Sequence, residues 1–182
     1  MKTITVPFST FQSVITEASS LDQLERSAIA AFPETRRRQH LVNTIQIVDY
    51  QVIPGQNTLT IKAITRNTDG GGEYQSNIQF NDVIYSPQPS AQTVVLDASD
   101  GQQYNVEFIR RSSTNVQVAC NCLDFYWTFA TWNHGDGSLL GPKPEPYQAT
   151  SNRGPRNPSR APGLCKHLMR LSTELQRQQI VK

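Results

Sequence analysis

Val116-Gln117-Val118-Ala119-Cys120-Asn121-Cys122 passes from strand chemistry to ligand chemistry within one short run. The valines lead directly into Cys120, and Cys-x-Cys places two thiolates on the same side of a short extended stretch or turn. Further on, Cys165-Lys166-His167 stands just before apolar positions of helical spacing, so it offers a thiolate and an imidazole near a helix start. Cys120, Cys122, Cys165 and His167 together supply three sulfurs and one nitrogen, a complete ligand set for structural zinc. All three cysteines of the chain fall within these two pairs. The alternatives for the same residues are unligated buried thiols or redox and catalytic use.

An odd number of cysteines cannot be closed into internal disulfides, and joining Cys120 to Cys122 would strain a small ring. Reduced, metal-ligating thiols in an intracellularly assembled protein fit better. Four protein ligands leave no open coordination position, which suits a structural Zn2+ and not a hydrolytic one. Such an ion would draw the strand end onto the helix start, closing a long loop and making metal binding part of the folding free energy. The chain is only 37% hydrophobic, so apolar burial is limited and a metal or partners would contribute to order.

Upstream of Val116 the pattern is extended. Leu41 to Tyr50 alternates as a long strand, Pro54-Gly55-Gln56-Asn57 turns the chain, and Thr58–Ile64 makes the next strand. Asn67–Gly72 turns again before a strand over Tyr74–Phe80. Val94–Leu96 and Tyr104–Phe108 form a further pair across Asp100-Gly101. The spacing predicts an antiparallel sheet or sandwich of about five to seven strands. Before it, Phe8, Phe11, Val14 and Ile15 repeat at helical spacing. Ser20-Leu21-Asp22-Gln23 has the capping-box pattern, opening a helix that should stop near Pro33.

Downstream, Asp124–Ala130 is the densest aromatic run and is expected to pack in the core beside the metal. Asn133–Gly137 resembles a turn, with His134 expected in solvent instead of on the metal. Residues 141–163 are rich in proline and glycine, which disfavours helix and central strand. Leu164, Leu168, Leu171 and Leu175 then mark a C-terminal helix. The expected fold is α+β: a predominantly antiparallel β core with N-terminal helices and a zinc-anchored C-terminal helix. Its divisions are an N-terminal helical segment (1–40), the β core (41–122), and a Pro-rich excursion with the last helix (123–182).

The net charge of +2 is unevenly spread. Residues 150–182 hold seven Lys and Arg against Glu174 alone, a net +6, which leaves −4 for the rest. Arg153, Arg156, Arg160 and Arg170 in that region, and the compact patch Arg36-Arg37-Arg38, are candidate partner contacts. A charged linker or a solvated basic tail is the plainer reading of both. No secretory segment or long apolar run occurs, so no membrane segment is expected. No His-Glu-x-x-His motif is present, and no Ser-His-Asp or Cys-His set can be assigned from order alone, so no enzyme activity is expected. A pocket formed by the aromatic run and His134 is the remaining catalytic alternative.

Cys120-x-Cys122 followed by Cys165-x-His167 resembles the SWIM-type zinc finger over residues 118–175, with an unusually long separation and no preceding enzyme domain. That resemblance implies these four residues as zinc ligands and allows a nucleic-acid-binding module using the basic C-terminal region. A second resemblance covers most of the chain. Cys120-Asn121-Cys122-Leu123-Asp124-Phe125, with Asn157-Pro158 and Pro162-Gly163-Leu164-Cys165-Lys166-His167-Leu168, is similar to structural proteins of tailed bacteriophages. It implies a non-enzymatic virion component of the neck, tail or baseplate, assembled in the host cytoplasm with other virion proteins. Multiple copies in a symmetric assembly would then complete the surfaces of the Pro-rich excursion and basic C-terminus.

Overall fold

The structure, a computed structural model, describes residues 19–33, 42–145 and 154–182. The helix expected over Phe8–Ile15, the Arg36–Arg38 patch and Arg153 lie outside the described residues. What is described is an α+β fold with two antiparallel sheets and a C-terminal helix.

Helix α1 (Leu21–Ala31) begins as its capping box dictates. The Ser20 side chain accepts from Gln23 N–H, and the Gln23 side chain accepts from Ser20 N–H, satisfying two otherwise orphaned donors. It ends at Phe32, ahead of Pro33, and buries Leu21, Leu24 and Ala28.

Strands β1 (Ile45–Pro54), β2 (Leu59–Asn67), β3 (Glu73–Phe80) and β7 (Val116–Cys120) form one sheet in the order β1-β2-β3-β7. The expected first strand starts late, because Val42–Thr44 is a 3-10 turn. There the Thr44 carbonyl accepts both the N–H and the hydroxyl of Thr68, which fixes the chain before pairing begins. The strand also runs on through Pro54, and the turn is closed by Gly55 N–H to the Thr58 carbonyl at 2.7 Å. Alternation puts Leu59, Ile61, Ala63, Ile78, Phe80, Val116 and Val118 on the buried face.

A smaller sheet, ordered β4-β6-β5, comprises β4 (Tyr85–Ser86), β5 (Thr93–Asp97) and β6 (Gln103–Glu107). The β5–β6 hairpin has the expected pairing, with Gly101 at φ +81° in its turn, a conformation open to glycine. The two sheets are tied by Tyr85 Oη donating to the Thr58 carbonyl at 2.7 Å and Ser99 N–H to the Val52 carbonyl at 2.9 Å.

After Cys122 the structure departs from expectation. Residues 123–136 are one helical passage: α2 (Leu123–Phe125), a π-helical turn (Tyr126–Ala130) and α3 (Thr131–Asp136). The aromatic run does pack in the core, with Phe125 and Phe129 buried, but it does so as helix. The turn expected at Asn133–Gly137 is instead the last stretch of α3. Only Gly137, at φ +79°, leaves the helix, as the left-handed cap that glycine allows.

Helix α4 (Lys166–Arg177) packs across β1, β3 and β7 with Leu168, Leu171 and Leu175 buried. Truncating one of these leucines to alanine costs about 2–5 kcal/mol. The guanidinium of Arg111 pairs with Asp22 and Glu25 of α1 and reaches Ser172 Oγ of α4 at 3.3 Å, so the two helices are bridged by one side chain. A single apolar cluster joins α1, both sheets, the π-turn and α4.

Candidate metal centre

The two Cys pairs converge at one end of the larger sheet. Cys120 is the last residue of β7 and stands opposite Ser76 of β3 in register. Cys122 follows two residues later as the N-cap of α2, its Sγ accepting the Phe125 N–H at 3.3 Å. Cys165 is the N-cap of α4, and His167 lies in that helix's first turn. All four residues are buried, and their ligand atoms lie within 4.8 Å of one another. The cluster could hold a metal ion.

Each side chain is aimed by its surroundings. His167 Nδ1 faces two sulfurs, at 3.8 Å from Cys120 Sγ and 3.9 Å from Cys165 Sγ. Tyr74 stacks on the imidazole with ring centroids 4.4 Å apart. His167 Nε2 is buried and has no hydrogen-bond partner among the described residues, which leaves Nδ1 as the nitrogen presented to an ion. Ser76 Oγ lies 3.6 Å from Cys120 Sγ as a donor. Hydroxyl and amide donors on the sulfurs stabilise thiolate charge.

Cys120 and Cys165 make unequal acids in this enclosure. The Cys120 thiol is pulled down to about 4 by hydrogen bonds from Cys122 and then Cys165, against the opposing effect of burial. Cys165 is pushed well above the ordinary thiol range, first by burial and then by the neighbouring sulfurs. Burial and mutual repulsion oppose adding further thiolate charge here, and a cation among the sulfurs would offset both.

The Pro-rich segment is fastened beside the cluster by two buried asparagines that the sequence did not single out. Asn133 Nδ2 donates to the Gly163 carbonyl at 3.1 Å, and Gly163 N–H donates to Asn133 Oδ1 at 2.8 Å. Asn157 Nδ2 donates to the Thr128 carbonyl of the π-turn at 2.9 Å and to the Ala161 carbonyl at 2.8 Å. Gly163 has no room for a side chain, since a Cβ would come 2.8 Å from Phe129 Cε1 and 2.9 Å from Ala28 Cβ. Two residues later the chain delivers Cys165. Asn157-Pro158 and Pro162-Gly163 were visible as loop punctuation, but nothing local marked them as clamps.

The remaining described candidates lie outside the cluster. His134 is exposed on α3, away from the cluster, as expected. Arg156 and Arg160 are exposed, with the Arg160 guanidinium 5.8 Å from the Trp132 ring centroid. Arg170 is engaged internally, donating to the Ile45 carbonyl at 3.1 Å and pairing with Glu174 at 3.6 Å. No helix among the described residues is long and apolar enough to cross a membrane.

The fold and site define an α+β protein with a closed, buried Cys₃His cluster between a sheet end and a helix start. Comparison with protein-family models, curated proteins and solved structures gives no match.

Proposed function

We propose that this chain is a zinc-stabilised, non-enzymatic structural component of a tailed-phage virion, placed in the neck, tail or baseplate. The observation that carries the metal part is the convergence of Cys120, Cys122, Cys165 and His167 at the joint between β7 and α4. Tetrahedral zinc, with ligands at about 2.3 Å for sulfur and 2.0–2.1 Å for nitrogen, calls for sulfur–nitrogen separations of ~3.6 Å. The observed separations of 3.8 and 3.9 Å need only a small contraction around the ion. Thiolate and imidazole donors without carboxylates favour zinc over calcium or magnesium. Four protein ligands complete its shell and leave no position for a substrate.

The particle role is supported by the resemblance of the two ligand pairs and their flanking residues to tailed-phage structural proteins. In that reading zinc sets the geometry of α4 and of the Pro-rich segment, and those elements meet neighbouring copies or other virion proteins. Polar and basic residues give such an interface register more than raw affinity.

Elemental analysis of protein purified under reducing conditions should find about one zinc per chain. Cys120→Ser should lose it, His167→Ala should weaken it, and His134→Ala should leave it unchanged. Zinc retained after loss of both cysteine pairs would overturn the metal reading. A structure of the assembled particle tests the rest: absence of this chain, or its presence without contacts from residues 141–182, would overturn the assembly role. Submicromolar, strongly salt-dependent binding to DNA would favour the SWIM-like nucleic-acid alternative instead.

A further inference from the structure

The four clustered residues are buried, but one of them borders a cavity. A cavity of about 320 Å³ opens between the end of β7, the π-turn and the chain beyond Leu139. Its wall is largely apolar and includes Ala119, Phe125, Tyr126, Leu139 and Pro142. Among the four ligand residues, only Cys120 lines it. The exposures agree: Cys120 keeps 7%, against 3% for Cys122, 3% for His167 and none for Cys165. The cavities along β1 and over the outer face of the larger sheet touch no ligand residue.

We propose that Cys120 is a modification site for small, uncharged peroxides, which reach its sulfur through this cavity and thereby discharge the metal. The proposal rests on the metal-centre reading above and adds its regulation. A peroxide fits the route because it is small and neutral; a bulky charged oxidant passes Lys143 and Glu145 but then meets a largely apolar wall. Exposure of a thiolate, more than its mere presence, selects which cysteine oxidises first.

The chemistry balances with hydrogen peroxide as the oxidant. The Cys120 thiolate attacks one peroxide oxygen; the sulfur–oxygen bond forms as the oxygen–oxygen bond breaks, and the departing hydroxide takes a proton to become water. The Cys165 thiolate then attacks the Cys120 sulfur. A sulfur–sulfur bond forms, the sulfur–oxygen bond breaks, and a second hydroxide leaves as water after protonation. Two thiolates have lost two electrons to one peroxide, and the ion has lost two of its three sulfur ligands. Cys165 is the partner of choice because a Cys120–Cys122 bridge across one residue is strained. Cys122 Sγ is also occupied by the Phe125 N–H. The product joins the end of β7 to the start of α4, the connection that the ion had made.

The test uses the full chain as purified, with its zinc content measured first. Hydrogen peroxide is added in small molar excess, zinc release is followed with a chromogenic chelator, and the thiols are trapped and mapped by mass spectrometry. Cys120 should be the first residue oxidised, a Cys120–Cys165 disulfide should accumulate with released zinc, and oxidised glutathione should release several-fold less. Ala119→Phe, which fills the cavity without altering a ligand, should retain zinc and slow both oxidation and release several-fold. First modification at Cys122 or Cys165, or an Ala119→Phe rate equal to wild type, would overturn the proposal while leaving the metal centre standing. Protein that carries no metal would refute the metal reading instead. The order of thiol modification in that protein would still decide whether the cavity is the route to Cys120.

Discussion

The two sheets of this protein are held by different means. The smaller sheet is built from neighbours in sequence: β5 and β6 are joined by a short turn, Tyr85 and Tyr104 meet edge to face, and Tyr85 fastens the unit to the β1–β2 turn. The cluster end of the larger sheet draws on residues far apart, since Ser76, Cys120 and His167 are brought together from three elements. Local pairing recovers its entropy cost quickly, whereas distant segments must be closed by something strong or highly directional. At the cluster end two asparagine clamps and the proposed metal would serve; at the hairpin ladder hydrogen bonds and a few buried side chains such as Val106 and Leu96 suffice.

The largest test of this contrast is removal of the zinc proposed for the cluster. With zinc in place, binding contributes on the order of 10 kcal/mol to folding in small zinc domains. Treatment with a strong chelator under reducing conditions should therefore raise hydrogen exchange sharply in residues 120–136 and 164–177. The β5–β6 hairpin should change far less. Equal loss of protection in both regions would erase the distinction, and no loss in either would remove the metal from the stability of the fold.

The clamps give a smaller effect in the same direction. Asn133→Ala leaves the Gly163 N–H and carbonyl buried without their partner, at about 1–3 kcal/mol for each unsatisfied group. Tyr85→Phe removes one hydrogen bond between the sheets, a loss of about 0.5–1.5 kcal/mol. Urea unfolding of the two variants should rank them in that order, and zinc affinity should fall only for Asn133→Ala. A Tyr85→Phe variant as damaged as Asn133→Ala would mean that the inter-sheet tie carries more than its geometry implies.

The smallest effect concerns acid. Glu174, 7% exposed, is held down to about 2 chiefly by hydrogen bonds from Arg177, with Gln178 adding to them. A carboxylate lowered on folding contributes stability above its unfolded value of 4.5, and that contribution fades as pH falls through about 2. In chelator, to take metal protonation out of the comparison, wild type should lose more stability than Glu174→Gln between pH 5 and pH 2. Identical acid profiles would assign the Arg170, Glu174 and Arg177 group no role in anchoring α4 to the edge of β1.

Much of the architecture was legible because it is written in short-range chemistry. Ser20 and Gln23 announce α1 within four positions, the alternation over Tyr74–Phe80 gives β3, and the Leu168, Leu171 and Leu175 spacing gives α4. The four clustered residues were legible too, since a Cys-x-Cys and a Cys-x-His account for every cysteine in the chain. The helical state of residues 123–136 was not. Its aromatic side chains are compatible with strand or helix, and the Cys122 cap that starts it looked only like a ligand.

By itself, then, the sequence determined the element types that depend on periodicity and capping, and the chemical identity of the four donors. Only the tertiary structure decided which donors open onto a cavity, that His167 presents Nδ1, and that Tyr74 and Ser76 aim the ligands. It also turned Asn133, Asn157 and Gly163 from loop residues into a clamp. The physical reason is distance along the chain. Helix, strand and cap preferences act over a few residues and leave a pattern there, whereas burial, stacking and amide clamping are properties of a surface that exists only after folding.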